Sequence, residues 1–165
     1  MGVKVLEAKQ QHLDYDDYEV GDEFVTAMIT ITETHLVLFA SLFGDLNMGH
    51  SCDHFTKDIT DGIAAGRKVV HGHLVMVMAQ GLLARMGIMM YTKTGAYMGM
   101  PIWRILRPAY VGDSISATFK VVEKQVHEKK PQWGKIKFAF SVYNHEGTLL
   151  QTGENLHYFM LGKEK

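Results

Sequence analysis

The segment Leu74 to Met86 (LVMVMAQGLLARM) constrains this chain more than any other, because Gln80 and Arg85 are its only polar side chains. A helix with no polar face has to be buried on every side, so the remainder of the chain must surround it. The sequence that follows supplies the means. Ala96 to Arg107 reads as a strand, and Pro108 with Gly112-Asp113 marks a turn. Ser114 to Val126 then alternates, with Ile115, Ala117, Phe119 and Val121 on one face and Ser114, Ser116, Thr118 and Lys120 on the other. In Lys135 to Tyr143, Ile136, Phe138, Phe140 and Val142 oppose Lys135 and Lys137, and Asn144-His145-Glu146-Gly147 reads as a hairpin turn into a last strand, Thr148 to Met160.

Upstream, the turn Val20-Gly21-Asp22 opens a strand from about Glu23 to Ile31. Thr32 is placed to cap a helix, its hydroxyl accepting from a free N–H, with Glu33 at the positive end. Leu36, Phe39, Ala40 and Phe43 follow at helical spacing, and Gly44 supplies the stop. Residues 45 to 72 show no sustained period and read as a polar loop carrying Asp45, His50, Asp53, His54 and His71. Loops of this length in compact domains are usually functional. One sheet can bury the apolar helix only by curling around it. The element order is that of an α+β hotdog fold, an antiparallel sheet of about five strands wrapped around one long apolar helix. Without repeats, charge blocks or Pro/Ser-rich linkers, residues 1–165 are expected to form a single domain with its core at about 18–160.

Composition excludes several classes. With 17 basic and 18 acidic residues among 165, the formal charge is −1, and no basic surface is available to displace counterions from nucleic acid. The longest apolar stretch, Leu74 to Tyr91, is broken by Gln80, Arg85 and two glycines, and a membrane span needs about 20 mostly apolar residues. Met1 to Gln10 carries Lys4, Glu7 and Lys9 in place of a signal-peptide core, and Leu6 stands where myristoylation calls for Ser or Thr. The lone Cys52 permits no intrachain disulfide. A cytoplasmic protein is expected.

The most informative stretch is Phe39-Ala40-Ser41-Leu42-Phe43-Gly44-Asp45-Leu46-Asn47-Met48-Gly49-His50. It sets an aspartate at a helix end, an asparagine two residues on and a histidine five residues after the aspartate. With His71-Gly72 opening the apolar helix, Arg107-Pro108-Ala109-Tyr110-Val111-Gly112-Asp113 before the strands and the final Asn144 to Met160 hairpin, the chain resembles the MaoC-like hydratases, the family of (R)-specific enoyl-CoA hydratases, over roughly residues 18 to 160. The resemblance implies reversible hydration of a 2-enoyl-CoA, or of the same acyl group on a carrier protein, to the 3-hydroxyacyl thioester. Coenzyme A then belongs to the substrate, and no cofactor or metal is called for. It also implies a homodimer, or a higher homo-oligomer of dimers, joined through the sheet, whose edge strand needs cover.

The chemistry suits these residue types. Hydration needs one group to take a proton from water, one to deliver a proton to the α-carbon, and a donor for the charge developing on the thioester oxygen. The resemblance assigns the first two roles to Asp45 and His50, since imidazoles exchange protons near neutral pH. It assigns the third to the backbone N–H of Gly72, at a helix start where free donors and the dipole favour an oxyanion. Asn47 is read as orienting the loop or the His50 ring, and His71 as bracing the loop or touching substrate. Gln80, a polar side chain in an apolar helix, either lines the acyl pocket or bonds the neighbouring sheet. Arg67 either meets the phosphates of coenzyme A or is a solvated surface charge. Where the family usually has Pro and a branched aliphatic residue, this chain has Met48-Gly49, which loses a rigid turn.

Three rival readings share the same residues. His50-x-x-x-His54, His71-x-His73 and Asp53 offer metal ligands, although Gly49 and Asp53 fall in a stretch without helical period. A hotdog acyl-CoA thioesterase differs only in where the water attacks, and Cys52 lacks the positioned partner a nucleophile needs. A non-catalytic acyl-thioester-binding protein is the third.

Overall fold

The computed structural model describes residues 13–88 and 96–162. The segment read above for targeting signals, and the end of the Leu74–Tyr91 stretch, lie outside the described residues. A short 3-10 turn (Tyr15–Asp17), β1 (Glu23–Val25) and β2 (Ile29–Thr30) lead into α1 (Glu33–Phe43). Next come α2 (Met48–Ser51), α3 (Asp53–Lys57) and α4 (Gly72–Arg85), then β3 (Tyr97–Ile105), β4 (Ser114–Val126), β5 (Trp133–Asn144) and β6 (Leu149–Met160). The strands make one antiparallel sheet in the order β1-β4-β5-β6-β3, with β2 also paired to β4. This is the α+β hotdog arrangement that the element order predicts.

Alternation decides which face of the sheet is covered. Ile115, Ala117, Phe119, Val121, Ile136, Phe138 and Val142 are all fully buried, and α4 contributes Leu74, Val75, Ala79, Leu82 and Leu83 to the buried residues. Burying a side chain of the Leu or Val type contributes about 1.5–3 kcal/mol, so this layer is the main apolar term of the fold. One row crosses the whole sheet, with Phe24, Phe119, Phe140, Gly153 and Trp103 opposite one another on successive strands. Glycine is required in that row. A Cβ on Gly153 would overlap the Ile102 carbonyl oxygen and come within 2.7 Å of the Phe140 ring.

Three expectations change. The strand expected over Glu23 to Ile31 is split into β1 and β2. Between them the Thr26 hydroxyl accepts the Ala117 N–H at 2.9 Å, so a side chain takes over a backbone position in the ladder. Thr32 caps α1 as expected, in a reciprocal box: its side chain faces the His35 N–H, and its own N–H donates to His35 Nδ1 at 3.0 Å. Residues 45 to 72 are not wholly loop, because α2 and α3 lie within them, each too short to show a periodic face. Last, α4 is not buried all round within one chain. Val77 is 51% exposed, and Gly81 and Ala84 share its open side, because the sheet covers only the opposite face.

Candidate active site

Two local devices put Asp45 and His50 where they are. Gly44 ends α1 in the left-handed region (φ 79°), its N–H donating to the Ala40 carbonyl, and the chain turns sharply into Asp45. Asn47 then caps α2, its Oδ1 accepting the Gly49 N–H at 2.9 Å, while the Asn47 N–H donates to Asp45 Oδ1 at 3.2 Å. Asn47 thus orients the loop, one of the two roles expected of it. Met48-Gly49, the departure from the family pattern, forms the start of α2, and the Gly49 carbonyl accepts the Val69 N–H at 3.0 Å.

His50 returns that contact. Its Nδ1 lies 2.6 Å from the Val69 carbonyl oxygen. A carbonyl can only accept, so Nδ1 carries the proton and Nε2 keeps its lone pair. By the same argument His71 donates from Nε2 to the Asp45 backbone oxygen at 2.9 Å, and its Nδ1 is buried without a partner. The two rings stack, and an Asp45 carboxylate oxygen lies 3.9 Å from His71 Nε2. One ligand atom each from Asp45, His50 and His71 falls within a sphere of mutual distances no larger than 4.8 Å. Two polar atoms that far apart can share a single water, since each hydrogen bond spans about 2.8 Å.

Beside His50 lies a cavity of about 400 Å³ whose walls include Gly72, Val75, Ile105, Arg107 and Gln151. Gly72 is the first residue of α4, and its N–H donates to no other described residue. It therefore offers the cavity a free donor at the positive end of a fourteen-residue helix. A Cβ at Gly72 would overlap Ile105 Cδ1, so a larger residue here would have to push that side-chain end aside. Asp45 is not in that wall itself, but its carboxylate lies close to His50 and His71, with its side chain 44% exposed.

The other sequence candidates sit apart from this centre. Gln80 bonds the sheet, its Oε1 accepting from Asn155 Nδ2 at 2.8 Å, which is the second of its two expected roles. The Arg67 guanidinium lies 3.4 Å above the Tyr110 ring, a cation–π contact on an exposed side chain. Of the metal candidates, only His50 and His71 converge. Asp53 pairs with Lys68 at 3.1 Å, and His73 packs on Trp103 with ring centres 4.8 Å apart. The Asp45, His50 and His71 atoms could hold an ion only by closing in, because tetrahedral zinc ligands lie about 3–3.5 Å from each other. Cys52 is occupied in capping α3, its Sγ accepting the Phe55 N–H.

Sequence reading missed three contributors. Gln151 is a buried amide in the cavity wall, betrayed only by being a polar residue at an inward position of β6. Arg107 lines the same cavity and donates to the Leu149 carbonyl at 3.2 Å. Lys68, whose side chain is 10% exposed, reaches both Glu33 in the first turn of α1 (2.6 Å) and Asp53 at the start of α3. The Glu33 hydrogen bond raises the Lys68 pKa above its ordinary value.

With this geometry in place, the relatives are informative. Residues 17–137 match the family model described as MaoC like domain, and the chain belongs to that family. It is 30% identical over 134 residues to the protein MaoC of Klebsiella aerogenes, covering 78% of this chain and 38% of that protein. The chain thus spans less than two fifths of that relative. Among solved structures, it resembles the monoamine oxidase regulatory protein of Archaeoglobus fulgidus (TM-score 0.82, 25% identity, covering 93% and 97% of the two chains). It also resembles the (R)-hydratase of A. caviae involved in PHA biosynthesis (TM-score 0.68, 25% identity, 87% and 98% covered). Among the described residues no helix is long and apolar enough to cross a membrane.

Proposed function

We propose that the protein hydrates a 2-enoyl thioester reversibly to the 3-hydroxyacyl thioester, with acyl-CoA or an acyl-carrier thioester as substrate. The observation that carries this reading is the convergence of Asp45, His50 and His71 beside a cavity lined by His50 and by Gly72, whose N–H is free. In the forward direction Asp45 and His50 Nε2 hold one water. Its oxygen adds to C3 while one of the pair takes its proton, and the other delivers a proton to C2. Gly72 N–H holds the thioester oxygen while it carries the negative charge, the kind of preorganised donor that contributes most in a water-poor site. His71 steadies Asp45 through the backbone bond, and Arg107 sets a positive charge in the cavity wall for the anionic carrier. Family membership and the likeness to an (R)-hydratase support the same chemistry.

The reading includes a second copy of the chain. The open side of α4 at Val77, Gly81 and Ala84, and the edge strand β3 with Ile102 and Ile105 exposed, are what a homodimer would cover.

The test is to incubate the protein with crotonyl-CoA and follow enoyl absorbance and free thiol together. Loss of absorbance without thiol is the expected result. Thiol release would make it a thioesterase, and saturable binding with neither change would make it a binding protein.

A further inference from the structure

We infer that Gln151 is a positioning residue for the oxyanion donor at Gly72, held in its working orientation by Trp103; the inference rests on the hydratase reading. Gln151 is 1% exposed and sits on the inward face of β6. Its Nε2 donates to the Gly72 carbonyl at 2.8 Å, and its Oε1 accepts the Trp103 indole N–H at 3.0 Å. The indole is a donor and nothing else, so it fixes which end of the amide is oxygen and turns the NH₂ group towards α4. The order Trp103 to Gln151 to Gly72 is therefore directional.

The consequence falls on the two peptide planes that meet at the Gly72 Cα. Gly72 has no side chain to anchor it, yet its N–H must point at the substrate oxygen. His71 is pinned from one side by its bond to the Asp45 carbonyl, and the Gly72 carbonyl is pinned from the other by Gln151. Between these two anchors the φ and ψ of Gly72, and so the direction of its N–H, have little freedom. Packing does not explain the amide. A satisfied buried amide adds little net stability over an apolar side chain of the same size. A donor misaligned by about 1 Å loses much of its effect on a developing charge.

The experiment compares wild type, Gln151→Met, Trp103→Phe and the double variant, measuring kcat and KM for crotonyl-CoA with a melting temperature for each. Gln151→Met keeps length and volume but cannot donate, and kcat should fall about 10- to 30-fold, below the 10²–10³ of losing an oxyanion donor outright. KM should stay within about twofold, because methionine keeps the volume of this wall residue and the other lining residues are unchanged. Trp103→Phe frees the amide to rotate and should cost about three- to fivefold in kcat, and the double variant should be no slower than Gln151→Met alone. A packing role would give additive losses that track melting temperature, and would overturn the inference. So would wild-type kcat in Gln151→Met, or in Trp103→Phe should the methionine variant fail to fold. Wild-type protein inert towards every enoyl thioester would instead bring down the hydratase reading, and this one with it.

Discussion

The imidazoles of His50 and His71 stack with ring centres 4.0 Å apart and planes 28° from parallel. Twenty residues of chain separate them, yet each commits one nitrogen to the backbone beside the other's anchor, His50 to Val69 and His71 to Asp45. The pairing leaves His50 Nε2 as the one nitrogen of the pair free to serve as a base towards the cavity, since His71 Nδ1 is sealed inside.

Asp45→Asn and His50→Gln should therefore each lower hydration turnover by about 10²–10⁴, the usual worth of one acid–base group. The double variant should be barely slower than either single one, because both groups act on one water. Steady-state kinetics with crotonyl-CoA decide this, and circular dichroism should show the fold intact. Wild-type turnover in His50→Gln would remove the histidine from the mechanism.

Sedimentation should give twice the 18.6 kDa chain mass at micromolar concentration. Val77→Lys, which puts a charge on the open side of α4, should shift the mass towards one chain. A wild-type mass of 18.6 kDa would show that the bare stripe is not an interface.

His157 supplies a pH dependence of stability. Burial among Phe138, Phe159 and Tyr97 pushes its pKa from 6.5 down to about 4. Between those values the unfolded chain binds the proton and the folded one does not, so stability rises with pH from about 4 to 6.5 and is level above. The span amounts to on the order of 2–3 kcal/mol. Urea midpoints measured at pH 7 and pH 5 should differ in wild type and differ less in His157→Phe; equal slopes in the two proteins would refute the assignment.

Gln80 and Asn155 share one hydrogen bond, and each also buries an unpartnered atom, Gln80 Nε2 and Asn155 Oδ1. Gln80→Leu alone orphans the Asn155 amide and should destabilise by about 1–3 kcal/mol, whereas Gln80→Leu with Asn155→Leu should regain most of it. Thermal melts of the three proteins test this.

The long strands were legible because their signal is local. Ser114 to Val126 shows its inward residues in its own alternation, and β4 has those limits. The short helices were not. α2 and α3 have four and five residues, held by the side chains of Asn47 and Cys52, and one turn of helix presents no face to read. At the site, the Asp45 to His50 spacing could be read because both lie on one loop. The His71 stack, the Gln151 amide and the Lys68 pairing could not, since each joins segments 15 or more residues apart and is fixed by the sheet's register and helix placement. The bare side of α4 was misjudged for a related reason, in that hydropathy reports what must be covered and is silent on which chain covers it.

Lys68 gives the proposed reacting pair a mechanical character. One ammonium clamps the first turns of α1 and α3, the two helices at either end of the stretch that holds Asp45 and His50. The same residue precedes Val69, whose carbonyl sets the His50 ring. The gap between carboxylate and imidazole behaves as a span between two abutments tied by a single bolt, placed outside the reaction and touching none of its atoms. Loosening the bolt, as in Lys68→Met, would let both ends drift together, so acid and base would lose alignment as one unit while every reacting side chain remained in place.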